Sequence, residues 1–267
     1  MLGCSTAFVK LCRGFYSHSH TLKGLGYDEV NLNLGCPSST VASKGRGSGF
    51  LGEKEALKAF LADIFDKTDM KISLKTRIGL NRADEFDDIL DIYQAFPVEM
   101  LIVHPRIRMD YYSGKPDMEA FEKASARMPF PVCYNGDIFT AAAYGRVSEK
   151  YSDIRHWMMG RGLLSNPALC REIRGGDCAS REELADYYHT MRDEYEVRCR
   201  EIRSRFLMKE FWHYISWILS EEDRQEIDVL MHLRDGAEFF RKAEEIAANC
   251  TVVKGQGFHS EMEVHKF

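Results

Sequence analysis

Five short motifs carry the residue types that could do chemistry, and each follows an apolar run typical of a buried strand. They are Asn33-x-x-Cys36, Lys75-x-Arg77, His104-x-Arg106, Asn135-Gly136-Asp137 and Gly160-Arg161-Gly162. We expect the chemistry at Cys36, because its thiol lies between a strand end and the glycine-rich segment 44–49. The structural alternative is that Cys36 is a small buried hydrophobe, the usual state of a free cysteine. The polar end of a strand, a hydrogen-bonded structural histidine or an ordinary turn would explain the other motifs.

The elements that must position these motifs alternate between strands and helices from Tyr27 onward. The pattern predicts strands at Val30–Leu34, Lys71–Arg77, Met100–His104, Pro131–Tyr134 and Trp157–Met159. Helices are predicted between them at Glu53–Phe65, Asp84–Phe96, Phe121–Met128 and Thr140–Lys150. Before them, residues 5–15 could form one short strand or helix, and residues 17–20 are expected to be a surface loop.

This alternation predicts a parallel α/β domain with polar residues at the carboxyl ends of its strands. A doubly wound sheet would fit the alternation as well. We favour a (β/α)8 barrel of the TIM type, because chemistry-bearing residues follow all five strands rather than one crevice. From about Asn166 no further strand is convincing, and long helices are predicted at Glu182–Leu219 and Glu221–Ala248. The predicted domains are therefore a barrel over residues 1–166 and an all-α domain over residues 167–267.

The last two motifs suit a phosphate group. Loops that follow the final strands of a barrel commonly bind phosphate through backbone N–H groups, often with a helix N-terminus. Glycine lets the backbone approach a ligand closely, and Arg161 could add a charge-assisted hydrogen bond. Lys75 and His104 would then face the middle of the barrel mouth.

Composition limits the classes of protein to which this chain could belong. The 267 residues carry a net charge of −5, whereas a protein that held nucleic acid by bulk charge would be basic, so RNA binding would need a local positive surface. Residues 198–209 hold a local excess of basic residues and are followed by aromatic ones. That segment could form an RNA surface, or its arginines could be solvated and its aromatics part of a core.

The eight cysteines form no Cys-x-x-Cys pair, which argues against a zinc or iron–sulfur site. No long apolar run or signal-peptide pattern is seen, so we expect a reduced cytoplasmic protein without a membrane segment.

From about Tyr27 to Leu169 the chain resembles the tRNA-dihydrouridine synthase family of flavin-dependent reductases. The resemblance rests on five motifs in order with barrel-like spacing: Asn33-Leu34-Gly35-Cys36-Pro37, Lys75-Thr76-Arg77-Ile78-Gly79, His104-Pro105-Arg106 with Tyr112-Ser113-Gly114, Asn135-Gly136-Asp137-Ile138 and Gly160-Arg161-Gly162. It implies FMN as cofactor, NADPH as reductant and tRNA as substrate. The helical C-terminal part is similar to the family's RNA-binding domain, and we expect the protein to be a monomer.

The resemblance also implies a role for each site residue. Reduced flavin would pass a hydride to C6 of a uracil, and Cys36 would deliver a proton to C5. A cysteine thiol suits this role because its usual pKa of about 8.5 keeps it protonated at neutral pH. By the same resemblance the remaining residues divide between substrate and cofactor. Asn33, Arg77 and Tyr112 would hold the uracil, Lys75 and His104 would contact the flavin ring, and Asn135, Gly136, Asp137, Gly160 and Arg161 would hold its phosphate end. Asp137 could instead cap the following helix.

The chain departs from the family in its number of strands. A (β/α)8 barrel needs eight, whereas five are predicted from Val30 onward and the first 29 residues can supply one at most. We therefore expect a barrel that is incomplete at its N-terminal side and weak or absent FMN binding by this chain alone. Two other hypotheses about function stay open. The chain could be a small-molecule pyrimidine oxidoreductase of the dihydroorotate dehydrogenase type, or an RNA-binding remnant without catalysis.

Overall fold

The computed structural model describes residues 5–7, 12–199 and 201–258. Within these ranges six strands form one sheet: β1 (Ser5–Ala7), β2 (Glu29–Leu34), β3 (Lys71–Gly79), β4 (Leu101–Ile107), β5 (Val132–Tyr134) and β6 (His156–Trp157). The α-helices are α1 (Cys12–Gly24), α2 (Ser39–Ala42), α3 (Lys54–Lys67), α4 (Glu85–Tyr93), α5 (Met118–Arg127), α6 (Ala141–Lys150), α7 (Arg161–Ser165), α8 (Leu169–Ile173), α9 (Arg181–Arg198), α10 (Glu201–Ile215), α11 (Glu221–His232) and α12 (Gly236–Asn249).

The strands follow one another across the sheet in sequence order, and every neighbouring pair is parallel. A doubly wound sheet reverses its strand order at a switch point, so this alternative is wrong. Sequential order means that the chain winds in one direction, as it does in a (β/α) barrel. The prediction of a parallel α/β fold followed by a helical region is confirmed, and the assignment to a (β/α)8 barrel that is incomplete at its N-terminal side stays a prediction.

The two faces of the sheet differ in chemistry because side chains alternate along each strand. One face is apolar and covered by helices: Leu32 and Leu74 are fully buried neighbours in register, and Phe121 of α5 packs edge-on against Tyr134 of β5. The opposite face, called the inner face below, is largely polar. Register places on it Asn31, Asn33, Ser73, Lys75, Arg77, Ile102, His104 and Cys133.

A bulge interrupts the pairing of β3 with β4. Arg77 is the partner of His104, but Gly79 is the partner of Ile107, so β4 contains one extra residue between these points. Pro105 lies within this stretch and cannot donate to the ladder, which is consistent with a bulge. The irregularity brings Arg106 beside His104, with 3.5 Å between Arg106 Nη1 and His104 Nε2. Bulges re-aim side chains in this way next to active sites.

Spatial proximity groups the chain into two compact units. The first contains the described residues up to Gly136 together with Ser152–Met158, and the second contains Asp137–Tyr151 and the described residues from Met159 on. The units do not follow the boundary predicted after Asn166, because α6 contacts α8 and belongs with the helices. As a division between domains, that boundary stays a prediction.

The second unit buries several aromatic residues in its core. Trp212 is 2% exposed, Tyr188 and Phe239 are fully buried, and Phe211 packs against the same cluster. The interpretation of residues 211–212 as core is therefore correct and the RNA-facing interpretation is wrong for them. Each of the two long predicted helices is divided in the structure. Cys199 is extended after α9, and the Asp235 carboxylate caps α12 by accepting from Glu238 N at 2.8 Å, a cap that the sequence analysis missed.

Residues 17–20 lie in α1, so the prediction of a surface loop there is wrong. Phe15 of the same helix is fully buried and packs edge-on against Phe60 of α3, which anchors α1. His18 Nδ1 lies 2.7 Å from the carbonyl oxygen of Gly14, one helical turn earlier. The histidines are exposed because they occupy the outer surface of this helix.

Among the described residues no helix has the length and apolarity to cross a membrane, and no group of three potential metal ligands is found.

The phenol of Tyr93 ties α4 to the strand that carries Lys75 and Arg77. Tyr93 is fully buried, its Oη is 3.0 Å from Thr76 Oγ1, and the threonine hydroxyl donates onward to the Arg77 carbonyl. We predict that Tyr93→Phe lowers the free energy of unfolding by about 1 kcal/mol, because the buried Thr76 oxygen loses its donor. Urea denaturation measures the change. Tyr27→Phe is the control, since Tyr27 is half-buried and its hydroxyl makes no hydrogen bond within the described residues. Equal effects of the two variants would contradict the prediction.

Candidate active site

Backbone hydrogen bonds on both sides fix Cys36 at the carboxyl end of β2. Asn33 Oδ1 accepts from the backbone N–H groups of Gly35 and Cys36 at 2.9 and 3.1 Å. The Cys36 carbonyl in turn accepts from Ser48 N at 3.1 Å and from Ser48 Oγ at 2.7 Å. Cys36 itself is half-buried. The loop therefore holds the thiol-bearing residue through its main chain.

Gly47 packs directly against Cys36 and cannot carry a side chain. Its φ is +54°, a conformation that glycine adopts without steric cost. A Cβ on Gly47 would lie 2.9 Å from both the Cβ and the carbonyl oxygen of Cys36. The glycine-rich segment therefore folds as a short 3-10 turn over Gly47–Gly52 that supports the thiol loop. The sequence pattern indicated a loop here but carried no sign of this supporting role.

The guanidinium of Arg77 joins three separate pieces of main chain. Arg77 is 2% exposed, and it donates from Nε to Gly35 O at 3.0 Å, from Nη1 to Ile107 O at 2.8 Å and from Nη2 to Tyr111 O at 2.6 Å. Burial lowers its pKa to about 10, so it stays charged at neutral pH. Tyr111 has a φ of +51°, which is strained for a residue with a Cβ. The bond from Arg77 stabilises this turn and places Tyr112 with its ring 5.5 Å from the guanidinium carbon.

His104 is a buried neutral imidazole. Burial, followed by the charges of Arg77, Lys75 and Arg106, lowers the pKa of His104 to about 2, so it is neutral at physiological pH. Arg106 also organises the following loop, donating from Nε to Ser113 O at 3.0 Å and from Nη2 to Gly114 O at 2.5 Å. His104 meets Tyr112 edge-on at 6.1 Å between ring centroids. This supporting role of Arg106 was missed from the sequence, where its position two residues after His104 was the available signal.

Lys75 differs from the two arginines because its ammonium is not used by the fold. It lies on the inner face in register with Asn33 and Ile102, and it makes no hydrogen bond or ion pair within the described residues. Burial, with a smaller contribution from the charge of Arg77, lowers the pKa of Lys75 to about 8. Cys36 and Cys133 are near enough to Lys75 that their thiolate forms would oppose the shift, but burial raises the pKa of the Cys133 thiol to about 12. A mostly buried cation without a partner suits an electron-rich ligand.

Asn135 and Gly136 continue the inner edge of the sheet after β5. Asn135 donates from its backbone N–H to Val103 O and from Nδ2 to Met158 O, both at 2.9 Å, so it holds the ends of neighbouring strands together. A Cβ on Gly136 would lie 2.0 Å from Tyr134 Oη. Tyr134 is wedged between Phe121 and Trp157 and cannot move aside readily. Gly136 is therefore required by local packing.

Asp137, Gly160 and Arg161 belong to the second unit. Arg161 Nη2 donates to Asp137 Oδ1 at 3.1 Å, and both side chains are largely buried, with 13% and 19% of their surface exposed. Gly160 precedes α7, and nothing lies within 4 Å of where its Cβ would be. Gly162, in contrast, allows close packing, since a Cβ there would lie 2.2 Å from Ile138 O. Asp137 thus pairs with Arg161 and does not cap α6, which Thr140 caps by accepting from Ala143 N.

In the first unit the structure brings together Asn33, Cys36, Lys75, Arg77, His104, Tyr112, Asn135 and Gly136. Their common features are a fixed thiol, a neutral imidazole and several cations that influence one another's pKa. This arrangement can donate a proton and stabilise negative charge, and it fits an electron-rich ring such as a flavin. In the second unit Asp137, Gly160 and Arg161 form a separate group whose guanidinium suits phosphate.

A sequence model of the dihydrouridine synthase (Dus) family matches residues 19–253. The chain is 28% identical over 149 residues to tRNA-dihydrouridine synthase B of Pseudomonas putida, covering 55% of this chain and 44% of the relative. It is 30% identical over 150 residues to a probable tRNA-dihydrouridine synthase 1 of Synechocystis, covering 55% and 42%. A probable tRNA-dihydrouridine synthase of Rhizobium leguminosarum is 26% identical over 175 residues, covering 64% and 55%. The chain spans about half the length of these curated relatives.

Solved structures with similar folds are more distant. A 2-naphthoyl-CoA reductase complex gives a TM-score of 0.48 at 12% identity, covering 62% of this chain and 29% of the other. A dihydrodipicolinate synthase gives a TM-score of 0.41 at 12% identity, covering 93% and 98%.

Replacement of Gly47 tests the support of Cys36. We predict that Gly47→Ala lowers the free energy of unfolding by about 2 to 4 kcal/mol, because the methyl group adds a clash with the Cys36 backbone to the cost of a positive φ. Gly114→Ala is the matched control: its φ is +68° but nothing lies within 4 Å of its Cβ position, so it should cost about 1 kcal/mol. Urea denaturation compares the two. Equal losses would show that Gly47 does not press against Cys36.

The unpaired ammonium of Lys75 should reduce stability at neutral pH. Its folded pKa of about 8 lies below the ordinary value of 10.5, so the unfolded chain binds the proton more tightly. The cost is fully present below pH 8 and disappears as pH rises to about 10.5. We predict that Lys75→Met raises the free energy of unfolding at pH 7 by about 1 to 3 kcal/mol and much less at pH 10.

The control is Lys71→Met on the same strand. Lys71 is exposed and its pKa is raised by a hydrogen bond to Glu99, so its removal should bring no gain at pH 7. Denaturation curves at pH 7 and pH 10 for both variants and the parent chain give the comparison. A gain from Lys75→Met that does not change with pH would argue against a depressed pKa.

Proposed function

This chain belongs to the dihydrouridine synthase family, and on that premise we propose that it reduces uridine in tRNA to 5,6-dihydrouridine, with FMN as cofactor and NADPH as reductant. The observation that carries the proposal is the fixed placement of Cys36 at the edge of the sheet where Lys75, Arg77 and His104 also lie. A thiol beside a cationic face fits the reduction of a carbon–carbon double bond better than hydrolysis. Cytoplasmic location is part of the same proposal.

The flavin ring would be held by Lys75 and His104. Bound reduced FMN supplies a hydride for C6 of the uracil. Lys75 suits the electron-rich pyrimidine edge of such a ring, because its ammonium has no partner in the described residues. His104, which is neutral, can accept or donate a hydrogen bond without adding a further charge. Asn135, Gly136, Asp137, Gly160 and Arg161 are proposed for the phosphate end, with Asp137 acting through its ion pair with Arg161.

Cys36 would donate the proton that completes the reduction. The proton of the thiol goes to C5 of the uracil while C6 receives the hydride, so the C5–C6 double bond becomes single and two hydrogens are gained. The thiolate that is left takes a proton from solvent before the next turnover. The backbone bonds of Cys36 to Asn33 and Ser48 keep the donor in place through this cycle.

Asn33, Arg77 and Tyr112 are proposed to hold the uracil. Asn33 uses its oxygen on the Cys36 turn, so its amide nitrogen is the group available to a base carbonyl. Arg77 has five N–H groups and gives three of them to main-chain carbonyls, which leaves two for a ligand. Tyr112 is 46% exposed and could cover the base with its ring.

The target base of a folded RNA must be turned out of its stack, and the remainder of the RNA needs a surface. In the second unit Arg203 is exposed, makes no ion pair within the described residues and lies one turn before Phe206, which is 70% exposed. Arg205 and Lys209 are less suited to phosphate, because they donate to the carbonyls of Arg234, Met231 and Leu233. Arg198 pairs with Glu194, and Arg200 lies outside the described residues. We therefore propose Arg203 and Phe206 as the centre of an RNA contact.

Replacement of Cys36 tests the proton-donor role. We predict that Cys36→Ala lowers the rate of dihydrouridine formation by about 10²- to 10⁴-fold, the usual contribution of a general acid. Mass spectrometry measures the two-hydrogen gain on uridine in RNA from cells that lack the gene and carry either wild-type or variant copies. Cys170→Ala is the control, because Cys170 is also a half-buried free thiol but lies in the second unit.

Purified protein separates the alternatives. Reduction of free pyrimidines with none on transcript RNA would favour a small-molecule oxidoreductase. RNA binding without flavin binding, even after reconstitution, would indicate a non-catalytic RNA-binding protein. If deletion of the gene removes no dihydrouridine from any cellular RNA, the proposed function fails.

A further inference from the structure

The guanidinium of Arg161 is enclosed by two aromatic rings in the second unit. Its central carbon lies 5.2 Å from the ring centroid of Phe139 and 5.0 Å from that of Phe258. The two rings contact each other edge-on, with 5.2 Å between centroids. The Asp137 carboxylate approaches the same guanidinium from a third direction at 3.1 Å. Cation–π contacts and an ion pair together restrict a side chain that otherwise has many rotamers.

Phe258 comes from a chain segment far from Arg161 in sequence. We call residues 251–258 the strap. It is anchored to the end of the helical bundle by backbone bonds from Val253 N to Ile218 O at 2.8 Å and from Ser220 N to Thr251 O at 3.0 Å. The side chain of Arg224 donates to Gln256 Oε1 and to the carbonyls of Ser216, Leu219 and Trp217. The strap is thus fixed independently of Arg161.

The end of the strap is built to reach the Asp137–Thr140 segment. A Cβ on Gly257 would lie 2.1 Å from Phe139 O, so the strap crosses that backbone at a distance that only glycine allows. Phe258 is 1% exposed and also contacts the rings of Tyr214 and Trp217, at 5.8 and 5.4 Å. Because these contacts fix the Phe258 ring, the ring restricts the positions that the Arg161 guanidinium can adopt.

We infer that Phe258 is a positioning residue for Arg161, and that the strap prepares the guanidinium for a phosphate monoester. The ligand assignment rests on the proposed function, in which Arg161 contacts the FMN phosphate, whereas the positioning does not. A planar guanidinium held before binding loses less rotational freedom when it forms bonds to phosphate oxygens. The strap therefore contributes to affinity for the phosphate without touching the ligand.

The positioning is tested on the full chain without any ligand. The side-chain Nε–H signal of Arg161, measured by nuclear magnetic resonance, should show restricted motion in the parent protein and fast motion in Phe258→Leu. Phe258→Tyr, which keeps the ring, should leave the signal restricted. Phe240→Leu is the matched control, since Phe240 lies 5.3 Å from the guanidinium carbon of Arg192 in the same unit, and only the Arg192 signal should change. Phe139→Leu removes the second ring and replaces Phe258→Leu if that variant does not fold.

The phosphate assignment is tested by comparing FMN with riboflavin, which lacks the phosphate. Phe258→Leu and Arg161→Met should each weaken FMN binding about tenfold and change riboflavin binding less than twofold. The double variant should lose no more than Arg161→Met alone, because the ring acts through the arginine.

Distinct results would overturn each part. Equal mobility of Arg161 in the parent chain and in Phe258→Leu would overturn the positioning role, and so would equal losses of FMN and riboflavin binding in Phe258→Leu. If Arg161 is restricted but the parent chain binds riboflavin as tightly as FMN, the positioning stands and the phosphate ligand is wrong. If the restricted arginine occurs in a chain that binds neither flavin, the positioning stands and the phosphate assignment is overturned. The proposed function fails only if deletion of the gene removes no dihydrouridine from cellular RNA.

Discussion

The candidate site depends first on the buried guanidinium of Arg77. Its three hydrogen bonds reach the turn before Cys36, the end of β4 and the strained turn at Tyr111, so one side chain sets the relative positions of three loops. Removal of this cation from water is unfavourable, and burial lowers its pKa to about 10. Hydrogen bonds from a charged group are worth about 1.5 to 3 kcal/mol each, so three of them offset that cost. No lysine could replace Arg77, because an ammonium lacks the rigid fork that spans three carbonyls.

The cations on the inner face are of two kinds: two arginines that the fold uses and one lysine that it does not use. Arg77 and Arg106 give their donors to main-chain carbonyls. Burial, together with the charges of the neighbouring cations, keeps His104 neutral. Lys75 is buried and repelled by the charge of Arg77, and it makes no hydrogen bond within the described residues. It is therefore the least satisfied cation described on this face. A ligand that accepts from Lys75 would therefore relieve a cost that folding has imposed. This is the electrostatic reason to expect an electron-rich cofactor here.

The sequence predicted the strands and their polar ends because both depend on local pattern. Alternation of apolar and polar residues identified β2 and β3, and the polar residues of that alternation are those that line the inner face. The bulge in β4 could not be predicted, since it depends on pairing with β3, and neither could the break between α11 and α12 from helical periodicity alone. Trp212 shows the same limit: its spacing fits a helix, but only the packing of three other helices decides that it faces the core.

Residue types predicted which side chains belong to the site better than they predicted what each one contacts. Asn33, Arg77 and Asp137 all have ligand-binding chemistry, yet in the structure their polar atoms bond to the Cys36 turn, to main-chain carbonyls and to Arg161. Such bonds join segments that are distant in sequence, so a linear pattern carries no trace of them. The supporting residues were missed for the same reason: Gly47 meets Cys36 and Phe258 meets Arg161 only after the chain has folded. What is left for a ligand on the first unit is the Cys36 thiol, the Lys75 ammonium and the exposed ring of Tyr112, together with the hydrogen-bonding groups of Asn33, Arg77 and His104 that the fold does not use.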